Sequence, residues 1–186
     1  MEPLLLSTLA VTLAEIGDKT QLLALMLAAR YRRPWPIVAG ILCATLANHL
    51  LAASLGSVVR AMLAPETLKW VVAISFFAVA AWTLLPDRLD EAKQPAPKTH
   101  LGVFGVTLVT FFLAEMGDKT QIATAVLGAR YNALASVVAG TTLGMLIADV
   151  PVVFAGHLAA GKIPFKLVRG AAALLFAALG IGILVA

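Results

Sequence analysis

The chain alternates between long apolar runs and short polar breaks. Six runs are long enough to cross a bilayer as a helix, which needs roughly 20 apolar residues. They are Leu4–Ala29, Trp35–Val59, Thr67–Leu85, Leu101–Ala129, Ala133–Ala159 and Lys166–Ala186. Only 86–100 is polar over a length typical of a linker. The pattern therefore predicts an all-α polytopic membrane protein with six transmembrane helices.

Composition supports this interpretation. The 186 residues are 61% hydrophobic and 13% charged, with a mean hydropathy of +0.95. Soluble domains are nearer 45–50% apolar and about 25% charged, and a soluble chain of this length could not bury so much apolar surface. These values exclude a soluble enzyme and a nucleic-acid-binding module despite the net charge of +4. Cys43 is the only cysteine, so a disulfide framework is excluded.

The basic residues of the loops predict the orientation in the membrane. Nine Lys and Arg residues fall on one predicted side and three on the other. Because cytoplasmic loops are enriched in Lys and Arg, we expect the 86–100 linker in the cytoplasm and both termini outside. Basic loops also face the anionic headgroups of membrane lipids. The positive net charge therefore reflects the loops and the lipid, and gives no indication of the protein's ligand.

The chain contains an internal repeat at an offset of one hundred residues. LAEIGDKTQ at 13–21 recurs as LAEMGDKTQ at 113–121, and 13–56 matches 113–156 with 17 identities in 44 gapless positions. We therefore divide the chain into a first three-helix repeat, 1–85, and a second, 101–186. Because three crossings are an odd number, the second repeat must be inverted relative to the first. Inverted repeats are typical of secondary transporters, whose sites lie near the bilayer midplane.

Each repeat carries one charged motif near the middle of a predicted span. On a continuous helix Glu15 and Asp18 share one face, whereas Thr20 points about 140° away from Glu15. Thr20 can join this face only if the helix is distorted near Gly17. The other motif positions and their repeat equivalents are Lys19, Gln21, Glu115, Asp118, Lys119, Thr120 and Gln121.

The cost of these charges indicates a polar site. A central Asp or Lys costs about 2.5–3.5 kcal/mol on insertion, and seven such groups approach roughly 20 kcal/mol, more than the ~5–15 kcal/mol stability of a typical domain. They must therefore face one another, water or an ion. Four carboxylates, from Glu15, Asp18, Glu115 and Asp118, provide oxygen ligands suited to Mg²⁺, Ca²⁺ or Mn²⁺. Crowded carboxylates also hold protons, so competition between protons and a cation would give antiport.

Other polar positions in the spans have two readings each. The charged residues of each motif could instead form stabilising ion pairs within one helix. Asp149 could line a cation pathway or pair with a buried lysine. Its repeat equivalent, His49, lies beside Asn48 and could be a cation ligand or a polar group whose hydrogen bonds are satisfied within the protein. The small-residue patterns at 40–44 and 140–144 predict close helix packing.

At the doubled motif the chain resembles a known family. AEIGDKT at 14–20 and AEMGDKT at 114–120 resemble the signature of Gdt-type, transmembrane-protein-165-like cation transporters. The resemblance covers essentially the whole chain and implies six core helices in two inverted halves, with manganese and calcium as substrates. It implies that Glu15, Asp18, Glu115 and Asp118 bind the cation. Thr20, Thr120, Gln21 and Gln121 match the polar flank. Both copies of the motif carry Lys, Lys19 and Lys119, whereas many relatives have Arg at this position of the second copy.

These observations predict a secondary transporter that exports Mn²⁺, with Ca²⁺ as a further candidate, by alternating access and in exchange for protons. The short linker is similar to that of minimal bacterial members of the family. This resemblance implies that the protein is located in the bacterial inner membrane, with its termini in the periplasm. No resident cofactor is expected, and the oligomeric state stays open. The alternatives are a cation channel and an intramembrane enzyme such as a polyprenyl-pyrophosphate phosphatase. The enzyme would need arginines at the depth of the acids, but every Arg lies near a span end or in a loop.

Overall fold

The computed structural model describes residues 1–85, 102–155 and 165–185, and every regular element in these ranges is an α-helix. The helices are α1 (Glu2–Glu15), α2 (Lys19–Tyr31), α3 (Pro34–Met62), α4 (Pro65–Thr83), α5 (Gly102–Glu115), α6 (Lys119–Arg130), α7 (Leu134–Ala155) and α8 (Phe165–Val185). The predicted 86–100 linker lies outside the described residues.

Four of the six predicted spans are present as single helices. These helices, α3, α4, α7 and α8, are long and apolar enough to cross a membrane. Large side chains on them, such as Leu51, Leu55 and Leu174, are at least 60% exposed, which suits contact with lipid. The chain is therefore a membrane protein, and the regular elements of its described residues are all helices. The last residues of the predicted fifth and sixth spans, 156–159 and 186, lie outside the described part.

The other two predicted spans are each broken in the middle, so the prediction of one continuous helix was wrong for both. In the first, α1 ends at Glu15 and α2 begins at Lys19; in the fourth, the same break separates α5 from α6. Gly17 has a φ of 84° and Gly117 a φ of 75°. Such left-handed backbone is accessible to glycine at little cost. The repeated motif thus encodes two turns, not two faces of continuous helices.

Close backbone contacts hold the short helices α1 and α5 against long ones. A Cβ on Gly140 or Gly144 of α7 would lie 2.5 Å from the Leu4 carbonyl oxygen or 2.7 Å from that of Thr8 in α1. In the equivalent contact of the other repeat, a Cβ on Gly40 of α3 would lie 2.7 Å from Cβ of Thr107 in α5. The close packing predicted for 40–44 and 140–144 is confirmed.

Helices α4 and α8 pack together through equivalent residues of the two repeats. The rings of Phe76 and Phe176 stack with centroids 6.2 Å apart and an interplanar angle of 23°. Ala73 and Ala173, one helical turn away, are both buried. Equivalent side chains of the two repeats therefore meet in the core, and the broken helices lie against the remaining long helices, α3 and α7.

Candidate cation-binding site

The two helix breaks have the same local structure. In the first, the Asp18 backbone N–H donates to the Glu15 carbonyl oxygen at 3.0 Å, and the Gly17 N–H donates to Gln21 Oε1 at 2.9 Å. The second break repeats both bonds, from Asp118 to Glu115 at 3.1 Å and from Gly117 to Gln121 at 2.7 Å. Each motif glutamine therefore satisfies a backbone donor that the break would otherwise leave unbonded.

The two breaks are joined by reciprocal ion pairs. Lys19 Nζ lies 2.8 Å from Asp118 Oδ1, and Lys119 Nζ lies 3.1 Å from Asp18 Oδ1. Each pair joins a lysine of one repeat to an aspartate of the other. The motifs of the two repeats therefore come together, as predicted from their membrane depth. The hypothesis of pairing within one helix is replaced by pairing between repeats.

Three carboxylates of the two motifs converge on one point. Glu15, Glu115 and Asp118 are each at most 2% exposed, and one oxygen from each lies within 4.8 Å of the other two. An ion equidistant from three oxygens no more than 4.8 Å apart would lie within about 2.8 Å of each, a range that includes the 2.3–2.6 Å of Ca²⁺–oxygen bonds. Asp18, predicted as the fourth ligand, is buried beside Lys119 and lies outside this carboxylate trio.

The two glutamates of the trio differ in their hydrogen bonds. Thr20 Oγ1 donates to Glu15 Oε2 at 2.7 Å, and Thr120 Oγ1 donates to Glu15 Oε1. Both carboxylate oxygens of Glu115 are buried without a hydrogen-bond partner among the described residues. The distortion near Gly17 that Thr20 needed in order to join this face is present, and it turns the Thr20 hydroxyl toward Glu15.

Backbone carbonyls of the surrounding helices complete the polar lining. Gln21 Nε2 donates to the Ala148 carbonyl oxygen in α7 at 3.0 Å. Asn48 of α3 donates from Nδ2 to the Phe112 carbonyl oxygen at 3.1 Å and accepts from Gln121 Nε2 at 3.5 Å. Sequence reasoning missed Ala148 and Phe112, because a backbone acceptor leaves no trace in residue type. These bonds fix the turns to the long helices.

Asp149 and His49 occupy equivalent positions in the two repeats and are not members of the carboxylate trio. Both are fully buried, and in the described part of the chain neither side chain has a hydrogen-bond partner. The predicted pairing of Asp149 with a buried lysine is not seen, since Lys19 and Lys119 each form an ion pair with the aspartate of the opposite motif.

Comparison with known proteins identifies the family. Residues 3–91 and 103–186 match the family described as "Divalent cation/proton antiporter GDT1". The chain belongs to the GDT1 family. It is 55% identical over 177 residues to a Vibrio cholerae protein named "Putative manganese exporter", across 95% of this chain and 87% of that protein. It is also 32% identical over 188 residues to a Synechocystis GDT1-like protein, across 90% of this chain and 89% of the relative.

More distant GDT1 relatives occur in plants. GDT1-like protein 4 of Oryza sativa is 27% identical over 190 residues, across 89% of this chain and 67% of the rice protein. No solved structure matches the chain. The family resemblance seen in the doubled motif is therefore confirmed, and membership shows a cation transporter rather than an enzyme.

Proposed function

We propose that this protein is a secondary transporter that exports Mn²⁺ in exchange for protons by alternating access, with Ca²⁺ as a further candidate substrate. The observation that carries the proposal is the buried carboxylate trio, Glu15, Glu115 and Asp118, at the meeting point of two broken helices. The family description supports cation/proton exchange. The name of the Vibrio cholerae relative supports Mn²⁺.

The charges around the trio suit one divalent cation. Asp18 and Asp118 each pair with a lysine of the opposite repeat, which leaves the carboxylates of Glu15 and Glu115 to balance a double positive charge. Oxygen ligands favour Mn²⁺, Ca²⁺ and Mg²⁺ over metals that prefer sulfur or imidazole. A carboxylate can hold either a proton or part of a cation's charge, so bound cation and bound protons exclude each other. This exclusion is the basis of the proposed exchange.

The architecture that we propose is six spans in two inverted repeats, with the two broken spans crossing through their pairs of short helices. Three features support it: equivalent packing of α1 on α7 and α5 on α3, stacking of Phe76 on Phe176, and the reciprocal ion pairs. Breaks in the middle of spans are typical of transporter sites. We further propose the bacterial inner membrane, with cytoplasmic linker and periplasmic termini, from the distribution of basic residues.

Flux measurements in proteoliposomes test this function. Uptake of Mn²⁺ and Ca²⁺ is measured with and without an imposed pH gradient in the wild type, Glu15→Gln and Asp118→Asn. Glu66→Gln, which alters an exposed acid at the start of α4, is the matched control. We expect gradient-driven Mn²⁺ flux in the wild type and the control and its loss in both site variants. Undiminished flux in the two site variants would exclude this site, and flux insensitive to the gradient would exclude proton exchange.

A further inference from the structure

The two short helices that follow the breaks are unequally covered, although they occupy equivalent positions in the repeats. Met26 of α2 is 38% exposed, whereas its equivalent in α6, Val126, is 8% exposed. One turn further, Ala29 is exposed and Ala129 is buried. The motif lysines Lys19 and Lys119 also differ in exposure. The two repeats therefore differ in how these helices are covered by the rest of the molecule.

A cavity lies beside the exposed helix. It has a volume of about 470 Å³ and lies between α2 and α5, lined by Met26, Ala29 and Arg30 on one side and Val106 on the other. The side chain of Lys19, at the start of α2, is 23% exposed, whereas that of Lys119 in α6 is 3% exposed. The α2 side of the molecule is therefore less covered than the α6 side, both at the motif lysine and at the end of the helix beside Arg30.

The covered helix, α6, is in backbone contact with α3. A Cβ on Gly56 of α3 would lie 1.9 Å from the Ala125 carbonyl oxygen, and a Cβ on Gly128 of α6 would lie 2.5 Å from the Ala53 carbonyl oxygen. Neither position can accept even a methyl group while the helices stay in place. The α2 residue equivalent to Gly128 is Ala28, which is only half-buried.

Polar bonds tie the same end of α6 to two other helices. Arg60 Nη1, near the end of α3, donates to the Arg130 carbonyl oxygen at the end of α6 at 2.8 Å. Tyr131 donates from its hydroxyl to Glu2 Oε1, at the start of α1, at 3.2 Å. In the sequence, the residue equivalent to Arg60 in the second repeat is Ala160, which has no such donor. The arginine bond is therefore specific to the closed side.

We propose that the α3–α6 contact, held by Arg60, is the closed gate of the cation path, and that the cleft beside α2 is its open side. The proposal rests on the proposed function, since a gate implies transport. By repeat symmetry, the opposite state forms when α6 leaves α3 and α2 closes on α7. Arg60 is a positioning residue, because it touches the gate helix and not the cation site. In the orientation proposed above, the open side faces the cytoplasm and the gate faces the periplasm.

Thiol labelling from each side of the membrane tests the gate. Single cysteines replace Ala29 or Ala129 in a Cys43→Ala background, and a membrane-impermeant thiol reagent is applied to right-side-out and inside-out vesicles without Mn²⁺. We expect Ala29→Cys to react from the Arg30 side only and Ala129→Cys to be protected from both sides. Adding Arg60→Gln should raise the labelling rate of Ala129→Cys about tenfold, the population shift equivalent to one charge-assisted hydrogen bond.

Two further variants keep the test decisive. Gly56→Ala, whose new methyl group cannot fit the closed contact, should expose Ala129→Cys from the Arg60 side and lower labelling of Ala29→Cys. Lys166→Gln, an exposed basic residue, is the control and should change neither rate. Equal wild-type labelling of the two cysteines, or protection of Ala129→Cys in both gate variants, would overturn the proposal. Labelling needs no cation, so failure of the gate is distinguishable from failure of transport in the flux assay.

Discussion

Glu115→Gln removes a charge from the carboxylate trio while retaining the shape of the side chain. The oxygens of the trio lie within 4.8 Å of one another, so an ion equidistant from them would lie within about 2.8 Å of the Glu115 carboxylate. At that distance a unit charge attracts a divalent cation by about 12 kcal/mol at an effective dielectric constant of 20. Most of this attraction is offset by the desolvation of both charges.

The net effect is therefore smaller than the gross attraction. Removing one partner of a buried charge pair costs about 3–5 kcal/mol, which corresponds to about a 100- to 4000-fold rise in the Kd for Mn²⁺. Glu15→Gln should weaken binding as well, but it also leaves the two threonine hydroxyls facing an amide. Glu115→Gln is the cleaner test, because no described side chain bonds to its carboxylate.

Calorimetric titration of Mn²⁺ in detergent, combined with thermal unfolding, measures this effect. Bound cation stabilises the fold by about 2.7 kcal/mol at a concentration of 100 times Kd, so the wild type and Glu66→Gln should unfold at a higher temperature with Mn²⁺ present. Glu115→Gln should lose this increase. If its Kd stays within threefold of the wild-type value, Glu115 does not bind the cation and the assignment of the trio fails.

Three further predictions concern the surroundings of the trio. Thr120→Val should raise the KM for Mn²⁺ about tenfold, since residues that orient metal ligands typically contribute 10–100-fold, whereas Thr120→Ser should restore it; equal flux in both variants would contradict the role of the hydroxyl. Lys119→Gln should lower the free energy of unfolding by about 3–5 kcal/mol in denaturant titrations, because it leaves Asp18 without its ion-pair partner. Adding Asp18→Asn should recover part of this loss. If the effects of the two substitutions on the free energy of unfolding simply add, the ion pair is excluded. Gly117→Ala should lower the free energy of unfolding by about 1–2 kcal/mol, because the position has a positive φ. Gly182→Ala, in an open helical position, should not lower it. Equal stability of these two variants would argue against the left-handed turn.

Hydropathy predicted the long helices well, because an uninterrupted apolar run of bilayer length has few alternatives to a helix. The ends of α3 and α4 lie within three residues of the predicted limits. The doubled motif predicted that two sets of acids and lysines meet, since isolated charges at bilayer depth are too costly. These inferences depend on composition and spacing along the chain, which the sequence contains in full.

The breaks at Gly17 and Gly117 were less accessible to sequence reasoning. An isolated glycine is compatible with a continuous helix, at a cost of only about 1 kcal/mol. The competing turn is stabilised by bonds from Gly17 to Gln21 and from Asp18 to Glu15, and by contacts with other helices. A periodicity argument counts residues on one helix face and cannot include those bonds. This is why the sequence alone could only make the position of Thr20 conditional on a distortion near Gly17.

The sequence by itself determined the membrane location, the duplication and the acids and lysines of the candidate site. Only the tertiary structure decided how they divide into roles. Each lysine pairs with an aspartate of the other repeat, and both threonines bond to Glu15, which leaves Glu115 without a partner in the described part of the chain. Two nearly identical motifs cannot encode this difference locally. Equivalent residues meet different surroundings in the folded chain, since α6 is buried against α3 whereas α2 is more exposed.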